Sequence, residues 1–301
     1  MHQVIDICTQ KLRDDASGEA RRLFHGRGHC FVGLEHVVVS WYPPYLHIAL
    51  YAPVADAQVE ALLGGLLEAV AGVQGVTVQQ RDGRRTLTEV RFGQVPDEHL
   101  VRENGLSYWI QPKRNQNVGL FLDMGHVRQA LAAGMSGARV LNLFAYTCAF
   151  SVSALAQGAT QVVNNDMNRN MLHVGERNHL ANQQDLRKVR MVSHNVFKAW
   201  KKLRDYGPYD VLIVDPPTNQ RGSFVAQKDY PQIMKQLVRL AAPGARLVLC
   251  LNSPFLDADF LRHNMARWAP QFTYRGAFPA HPDFPEADVD RGLKVLDYRL
   301  T

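Results

Sequence analysis

Residues 139–166 read RVLNLFAYTCAFSVSALAQGATQVVNND, and their pattern decides the architecture. RVLNLFAY (139–146) is apolar at most positions, as a strand buried on both faces requires. FSVSALAQGA (150–159) has helical spacing and stops at Gly158. QVVNND (161–166) is a second strand. Strand, helix and strand in this order make a parallel crossover unit.

The alternation continues outward. NRNMLHVGERNHLAN (168–182) is an amphipathic helix, VRMVSH (189–194) a strand, VFKAWKKLRDYG (196–207) a helix and YDVLIVD (209–215) a strand. KDYPQIMKQLVRLA (228–241) and RLVLCLN (246–252) add a helix and a strand, with Pro243-Gly244 as the break. FTYRGAF (272–278) and LKVLDYRL (293–300) have no helix between them and predict a closing antiparallel hairpin. The expectation is an α/β fold: a doubly wound, Rossmann-like parallel sheet with an antiparallel edge.

Upstream of residue 95 the character differs. HVVVSW (36–41) and YLHIALYA (45–52) flank a Tyr42–Pro44 turn, VEALLGGLLEAVAG (59–72) is helical, and GVTVQQR (75–81) and TLTEVRFG (86–93) are strands. VRENGLSYWI (101–110) predicts a hairpin turning at Asn104-Gly105. The reading is a smaller α+β domain over 1–95, with a possible RNA-binding role, followed by the main domain over 96–301.

Composition narrows the classes. The chain has 301 residues, 34 Lys+Arg against 28 Asp+Glu, a net charge of +6 and 46% hydrophobic content. That content builds a core, and the modest basic excess permits a nucleic-acid partner without demanding one. No apolar run is long enough for a membrane span, and MHQVIDICTQKLRDD lacks a signal-peptide core. The four cysteines are far apart, with no CxxC pair and no His at zinc spacing. These features predict no membrane, no metal and a cytoplasmic setting.

Ligands of open parallel sheets bind beyond the carboxyl ends of the strands, where the strand order reverses. After the first strand comes Phe144-Ala145-Tyr146-Thr147-Cys148, without GxGxxG, so a nicotinamide or flavin loses its phosphate cradle. After the second comes Asp166, placed to accept from ribose hydroxyls or to cap a helix. After the third comes His194-Asn195-Val196: the amide suits an adenine edge or an N-cap, and Val196 or Phe197 could pack on the ring. After the fourth comes Asp215-Pro216-Pro217-Thr218. Pro217 has no N–H and Pro-Pro holds the backbone extended, so the Asp215 carboxylate and Pro216 carbonyl form two fixed acceptors for an amino group or amide edge of a base.

A ribose acid, an adenine contact, no pyrophosphate loop and Asp-Pro-Pro together describe an S-adenosylmethionine site. VLNLFAYTCAFSVSALAQGA (140–159), VVNNDMNRNM (162–171) and YDVLIVDPPT (209–218) resemble class I methyltransferase motifs. QNVGLFLDM (116–124) and DFPEADVDRGLKVLDYR (283–299) resemble the large-subunit rRNA methyltransferases, a family with cytosine-C5 and guanine-N7 members. The resemblance covers about 98–301. It implies S-adenosyl-L-methionine as cofactor and RNA, most naturally rRNA, as partner. It implies that Asn117, Gly119 and Phe121 enclose the cofactor and that Phe144, Tyr146 and Thr147 line its methionine part. It further implies that Asp166, beside Met167, holds the ribose, Asn195 and Val196 the adenine, and Asp215 the methyl-transfer side. Cys148 stands where the family usually has Gly, and Asn195 where Asp is frequent.

The cytosine-C5 relatives use a Cys at the end of strand five to activate the ring. Here Asn252 stands at that position, and Cys250, two residues earlier, reads as a buried small hydrophobe. Asp215, Pro216 and Pro217 fit nitrogen methylation, so a base nitrogen, on guanine, is favoured. The alternatives are cytosine-C5 methylation and a protein or small-molecule methyltransferase of the same fold. Thr218, Phe224, Lys228 and Asn252 are candidate substrate contacts, Phe224 by stacking on a flipped base. Asp229 reads as a cap of the helix that follows. Arg21, Arg22, Arg27, Arg81, Arg84, Arg85, Lys113 and Arg114 are candidate RNA contacts or plain solvated surface. Lys201, Lys202 and Arg204 read as an exposed helix face.

Overall fold

The computed structural model describes residues 1–15, 17–81, 86–114, 116–217, 219–220 and 224–301, the last-but-one pair by backbone alone. Thr218, Arg84 and Arg85, named above as candidates, lie outside the described residues. The chain separates into two compact units: Met1–Gly125 with His281–Asp288, and His126–Ala280 with Val289–Thr301. The change of sequence character near 95 marks the end of the first unit's main sheet, at Gly93.

The first unit contains α1 (His2–Arg13), β1 (Arg21–His25), β2 (Val37–Tyr42), β3 (Tyr45–Leu50), α2 (Asp56–Ala69), β4 (Gly75–Arg81) and β5 (Thr86–Gly93). The five strands lie in chain order. β3 and β4, joined through α2, form the one parallel pair of this sheet. α1 and α2 put Val4, Cys8, Leu62 and Leu66 into one cluster with Leu23, Val39, Leu46, Ile48 and Val76. Full burial of such a side chain contributes about 1.5–3 kcal/mol. The hairpin of β6 (His99–Glu103) and β7 (Leu106–Ile110) turns at Asn104 and Gly105, φ 51° and 76°, as a primed turn needs.

The second unit begins at His126, the second residue of α3 (Gly125–Leu131), whose first residue belongs to the first unit. It continues with β8 (Arg139–Leu143), α4 (Ala149–Ala156), β9 (Gln161–Asn165), α5 (Arg169–Ala181), β10 (Val189–Val192), α6 (Val196–Tyr206) and β11 (Tyr209–Val214). Then come the short β12 (Asn219–Gln220) and β13 (Phe224–Val225), α7 (Ala226–Leu240), β14 (Ala241–Asn252), α8 (Ala258–Trp268), β15 (Phe272–Ala277) and β16 (Leu293–Leu300). The seven-stranded sheet has the order β10-β9-β8-β11-β14-β16-β15. Its first five strands are parallel and the last two antiparallel, the architecture expected from the alternation.

Several boundaries move, each for a local reason. β8 stops at Leu143 rather than 146, because Phe144 and Tyr146 have positive φ and cannot continue a strand. α2 starts at Asp56, before any apolar periodicity, and ends before Gly72, which is left-handed at φ 79°. Pro243-Gly244 is a bulge inside β14 rather than a break, with Tyr209 opposite Ala241 and Val211 opposite Arg246.

Candidate functional site

Strand register assembles the site. Leu143 pairs with Asn165 on one side and Val214 on the other, and Asn165 pairs with Val192. The next residues along three of these strands are Phe144, Asp166 and Asp215. They leave the sheet together at its carboxyl edge, about 4.8 Å apart per strand. β8 and β11 adjoin at the point where the strand order reverses, the expected ligand crevice of such a sheet.

The turn after β8 holds three non-glycine residues with positive φ in five: Phe144 (59°), Tyr146 (48°) and Cys148 (63°). Each costs about 1–2 kcal/mol and persists only where surroundings over-determine it. Here the Ala145 N–H donates to the Asn165 carbonyl (3.0 Å) and the Cys148 N–H to the Ala145 carbonyl (2.7 Å). The buried Asn178 amide of α5 donates to the Thr147 carbonyl (2.9 Å). The Cys148 side chain is fully buried beside Ala145, Leu172 and Met191. Burial pushes its thiol pKa well up, and the Asp166 charge adds to this, so it is an inert packing group. Its space exists because residue 175 is Gly: a Cβ there would lie 2.3 Å from Cys148 Sγ.

Asp166 sits beyond β9 with both oxygens engaged. Oδ2 accepts from the Tyr146 N–H (2.9 Å) and Oδ1 from the Asn168 N–H (2.8 Å). Burial raises its pKa against the pull of these two bonds. A carboxylate offers about four lone-pair sites, so two remain for a ligand. Asn165, fully buried, donates to the Val192 and His194 carbonyls (2.9 Å each), tying the ends of β9 and β10. Met167 is exposed. Asn165's strand neighbour leads to Asn195, whose Oδ1 accepts from the Phe197 N–H (2.9 Å), so the N-cap of α6 occupies its carbonyl. Val196 is buried in the core at the first turn of α6.

Beyond β11, Asp215 is half-buried, and Pro216 is buried. Phe224 is 1% exposed, its ring edge-on to Phe144 and Tyr230 with centroids 5.4 Å away in each case. It packs this corner, and stacking on a base would require it to leave both contacts. Lys228 is exposed on the first turn of α7, while Asp229 accepts from the Val225 N–H (2.7 Å) and fastens the start of that helix. Asn252 is exposed at the end of β14, and Cys250 is fully buried inside that strand. Lys294 is a further residue of this edge, outside the candidates named above. It is 7% exposed, and its ammonium donates to the carbonyls of Ser253 (2.5 Å) and Asp290 (2.7 Å), holding the segment that follows Asn252. A lone Lys in the apolar run LKVL was the available signal.

Phe144, Tyr146, Thr147, Asp166, Met167, Asn195, Val196 and Asp215 thus belong to the second unit, whereas Asn117, Gly119 and Phe121 belong to the first. In the first unit Val118, Leu120 and Leu122 are buried, and Asn117 and Phe121 are exposed. Gly119, at φ 126°, lies so close to β7 that a Cβ would meet the Trp109 carbonyl at 3.0 Å. Among the described residues no group of three His, Cys, Asp or Glu could hold a metal, and no helix is long and apolar enough to cross a membrane. A carboxylate with spare acceptor sites beside a tightly folded, glycine-free turn fits a ribose-bearing ligand without a pyrophosphate.

Comparison with known proteins agrees with that chemistry. A family model described as S-adenosylmethionine-dependent methyltransferase matches residues 21–299. The ribosomal RNA large subunit methyltransferase I of Aeromonas hydrophila is 34% identical over 197 residues, 64% of this chain and 50% of that protein. The protein of the same name from Enterobacter sp. is 28% identical over 281 residues, 87% of this chain and 71% of that one. The Aeromonas match thus spans about half the relative's length. Among solved structures, that of SMU.776 complexed with SAH superposes with a TM-score of 0.88 at 23% identity, covering 99% of this chain and 80% of that one. A tRNA m1G37 methyltransferase from M. jannaschii superposes with a TM-score of 0.66 at 14% identity, over 99% of this chain and 78% of that one. These two likenesses concern the fold.

Proposed function

Because the chain belongs to the S-adenosylmethionine-dependent methyltransferase family, we propose that it transfers a methyl group to RNA, in particular to ribosomal RNA, at a base nitrogen of guanine. The observation that carries the site assignment is the register that brings Asp166 and Asp215 to one sheet edge on either side of the 144–148 turn. The RNA reading rests on the function named for the Aeromonas and Enterobacter relatives and on the chain's net charge of +6. Residues 1–95 would form the RNA-binding part and 96–301 the catalytic part, in a cytoplasmic enzyme.

S-adenosylmethionine supplies a methyl already activated on a sulfonium, so the protein's task is alignment. In this reading Asp166 accepts from the ribose hydroxyls with its remaining lone pairs. The turn at Phe144, Tyr146 and Thr147 lines the methionine part, while Met167, Val196 and the amide of Asn195 border the adenine. Asp215 and the Pro216 carbonyl accept from the base, and Pro217 has no N–H of its own to offer them. Asp215 orients the nitrogen lone pair toward the methyl. Lys228 would meet phosphate, and Asn252 the base edge. Cys250, buried within β14, has no route to a cytosine ring, which is the specific point favouring nitrogen over carbon-5.

Mass-spectrometric mapping of modified nucleosides in ribosomal RNA from a strain lacking the protein tests this. The expected result is loss of one methylated guanine. An unchanged modification map would refute it, and loss of a 5-methylcytosine would move the target to carbon.

A further inference from the structure

Among the described residues, five of the first unit's ten Lys and Arg side chains are neutralised locally. Arg21 pairs with Asp283 (3.1 Å) and Asp15 (3.3 Å), and Lys11 with Asp283 (2.8 Å). Lys113 and Arg114 share Asp97 (2.8 and 3.0 Å), and Arg91 pairs with Asp56 (3.3 Å) and with Glu60. Arg22, Arg27 and Arg81 differ. Among the described residues none of them pairs with a carboxylate, and the buried Nε of Arg22 has no acceptor.

Two of the three lie over one aromatic ring, and the third is within its electrostatic reach. The Arg27 guanidinium lies over Tyr51, 4.0 Å from its centroid, and that of Arg81 lies 5.2 Å away. Arg81 also donates to the Tyr51 hydroxyl (2.7 Å), to the Gln79 side chain and to the Gln116 carbonyl, so it is fixed from three sides. Arg22 lies over Phe284 at 4.8 Å, within the electrostatic reach of both Tyr51 and Arg81; the Asp123 charge partly offsets it. Arg27 is exposed, and its backbone is held as tightly as its side chain. Gly26 abuts the Leu34 carbonyl so closely that a Cβ would stand 1.9 Å from it, and at Gly28 a Cβ would stand 1.7 Å from the Pro285 carbonyl. Glycines on both sides of Arg27 therefore seat the segment flat on its neighbours and point one arginine outward.

Three uncompensated guanidiniums in one place repel each other, and ordering two of them adds entropy cost. A fold that nonetheless fixes them gains only if an anion arrives. Arginine planes held over an aromatic ring also offer a stacking surface for unpaired bases. We propose that Arg22, Arg27 and Arg81, organised around Tyr51, form the first unit's binding surface for single-stranded RNA, taking its phosphates and one stacked base. This rests on the RNA reading above and gives it an address.

The test is fluorescence anisotropy of the full chain with a labelled, unstructured single-stranded RNA 20-mer over a range of salt concentrations. Each lost phosphate contact lowers the slope of log affinity against log salt by about 0.7 for a single strand. Arg27→Ala and the double variant Arg27→Ala/Arg81→Ala should lose about tenfold or more in RNA affinity, with a shallower salt slope, while binding of S-adenosylmethionine by calorimetry is unchanged. Arg27→Lys keeps the charge and should recover the slope but not the whole affinity. Arg27 is exposed, so its single variants remain informative if the double variant unfolds. Unchanged affinity and slope in Arg27→Ala would overturn the assignment and leave the RNA reading standing. Failure of the unaltered chain to bind the RNA would overturn both.

Discussion

Cys148 and Gly175 share one space: the thiol of the 144–148 turn fills the volume that a Cβ on α5 would need, 2.3 Å from Sγ. The turn therefore carries a side chain at a left-handed position, φ 63°, because a helix one layer away does without one.

The first prediction is a double-mutant cycle on that pair. Gly175→Ala gains about 1 kcal/mol of helix propensity on an open helix, but against Cys148 the overpacking should cost about 1–3 kcal/mol. In the Cys148→Gly background the same substitution should be neutral or stabilising. Urea denaturation of the four proteins reads the coupling; additive effects would mean that the two side chains do not compete.

Asp166 has a structural bond and a proposed ligand role, and the two separate. Its Oδ2 bond to the Tyr146 N–H holds the strained turn, and its remaining lone pairs are assigned to the ribose. Asp166→Asn keeps one acceptor and should fold, while losing about tenfold in S-adenosylmethionine affinity as a charge-assisted bond is weakened. Burial raises the Asp166 pKa above the ordinary aspartate value, so affinity should fall on acidification sooner than for an ordinary carboxylate. The stability effect has the opposite sign: the folded chain binds this proton more readily, so the group's contribution is greatest at low pH and is lost as pH rises through its folded pKa. Calorimetric titrations at several pH values check both; a pH-independent dissociation constant would remove Asp166 from the ligand.

Buried histidines predict the acid limb. His47, in the first unit's sheet, is lowered to about 3 by burial and by nearby arginines, and accepts or donates through Nδ1 to Thr77 (2.8 Å). His179, on α5, is lowered to about 4 by burial. Both are neutral when folded and charge on unfolding, so their stabilisation is present above 6.5 and is lost as pH falls toward those values. Each should remove up to about 1.4 kcal/mol per pH unit in that window. His47→Gln should flatten the stability profile between pH 6 and 4 relative to the unaltered chain, as followed by thermal melts; an unaltered slope would contradict the burial argument.

Much of the fold could be read because parallel strands buried on both faces become short apolar runs: VLNL, VVNN, VRMV, VLIV and LVLCL each sit in the central sheet. The primed turn at Asn104-Gly105 was equally plain. α1 and α8 have no strong periodic signal, since their buried apolar stripes are only Val4 with Cys8, and Leu261 with Met265. In the site, Asp166 and Asp215 stood out by position, but left-handed Phe144 and Tyr146 carry no glycine to advertise them. Phe224 offered a base platform in the sequence and turned out to be packing. Arg21 and Arg22 are adjacent in sequence, yet only Arg21 is neutralised, by Asp283, 262 residues away. Pairing over that separation has no local signature.

Cys250 distinguishes nitrogen from carbon chemistry. It is fully buried within β14, so Cys250→Ala should retain methyl transfer within about threefold of the unaltered chain, at a modest cost in stability. Loss of transfer with the fold and cofactor binding intact, or a covalent adduct with 5-fluorocytosine RNA, would place the chemistry on carbon-5.

The central claim is that Asp215 aligns an RNA base with a methyl donor held at the same sheet edge. Single-turnover transfer of labelled methyl from S-adenosylmethionine to ribosomal RNA, comparing the unaltered chain with Asp215→Ala, measures it most directly. Misplacing a reacting group by about 1 Å costs about 10²-fold in rate, so Asp215→Ala should slow transfer at least that much while cofactor affinity stays unchanged, and nucleoside analysis of the unaltered reaction should show N-methylated guanine. Transfer at the unaltered rate by Asp215→Ala, or no label in RNA from the unaltered chain, would contradict it.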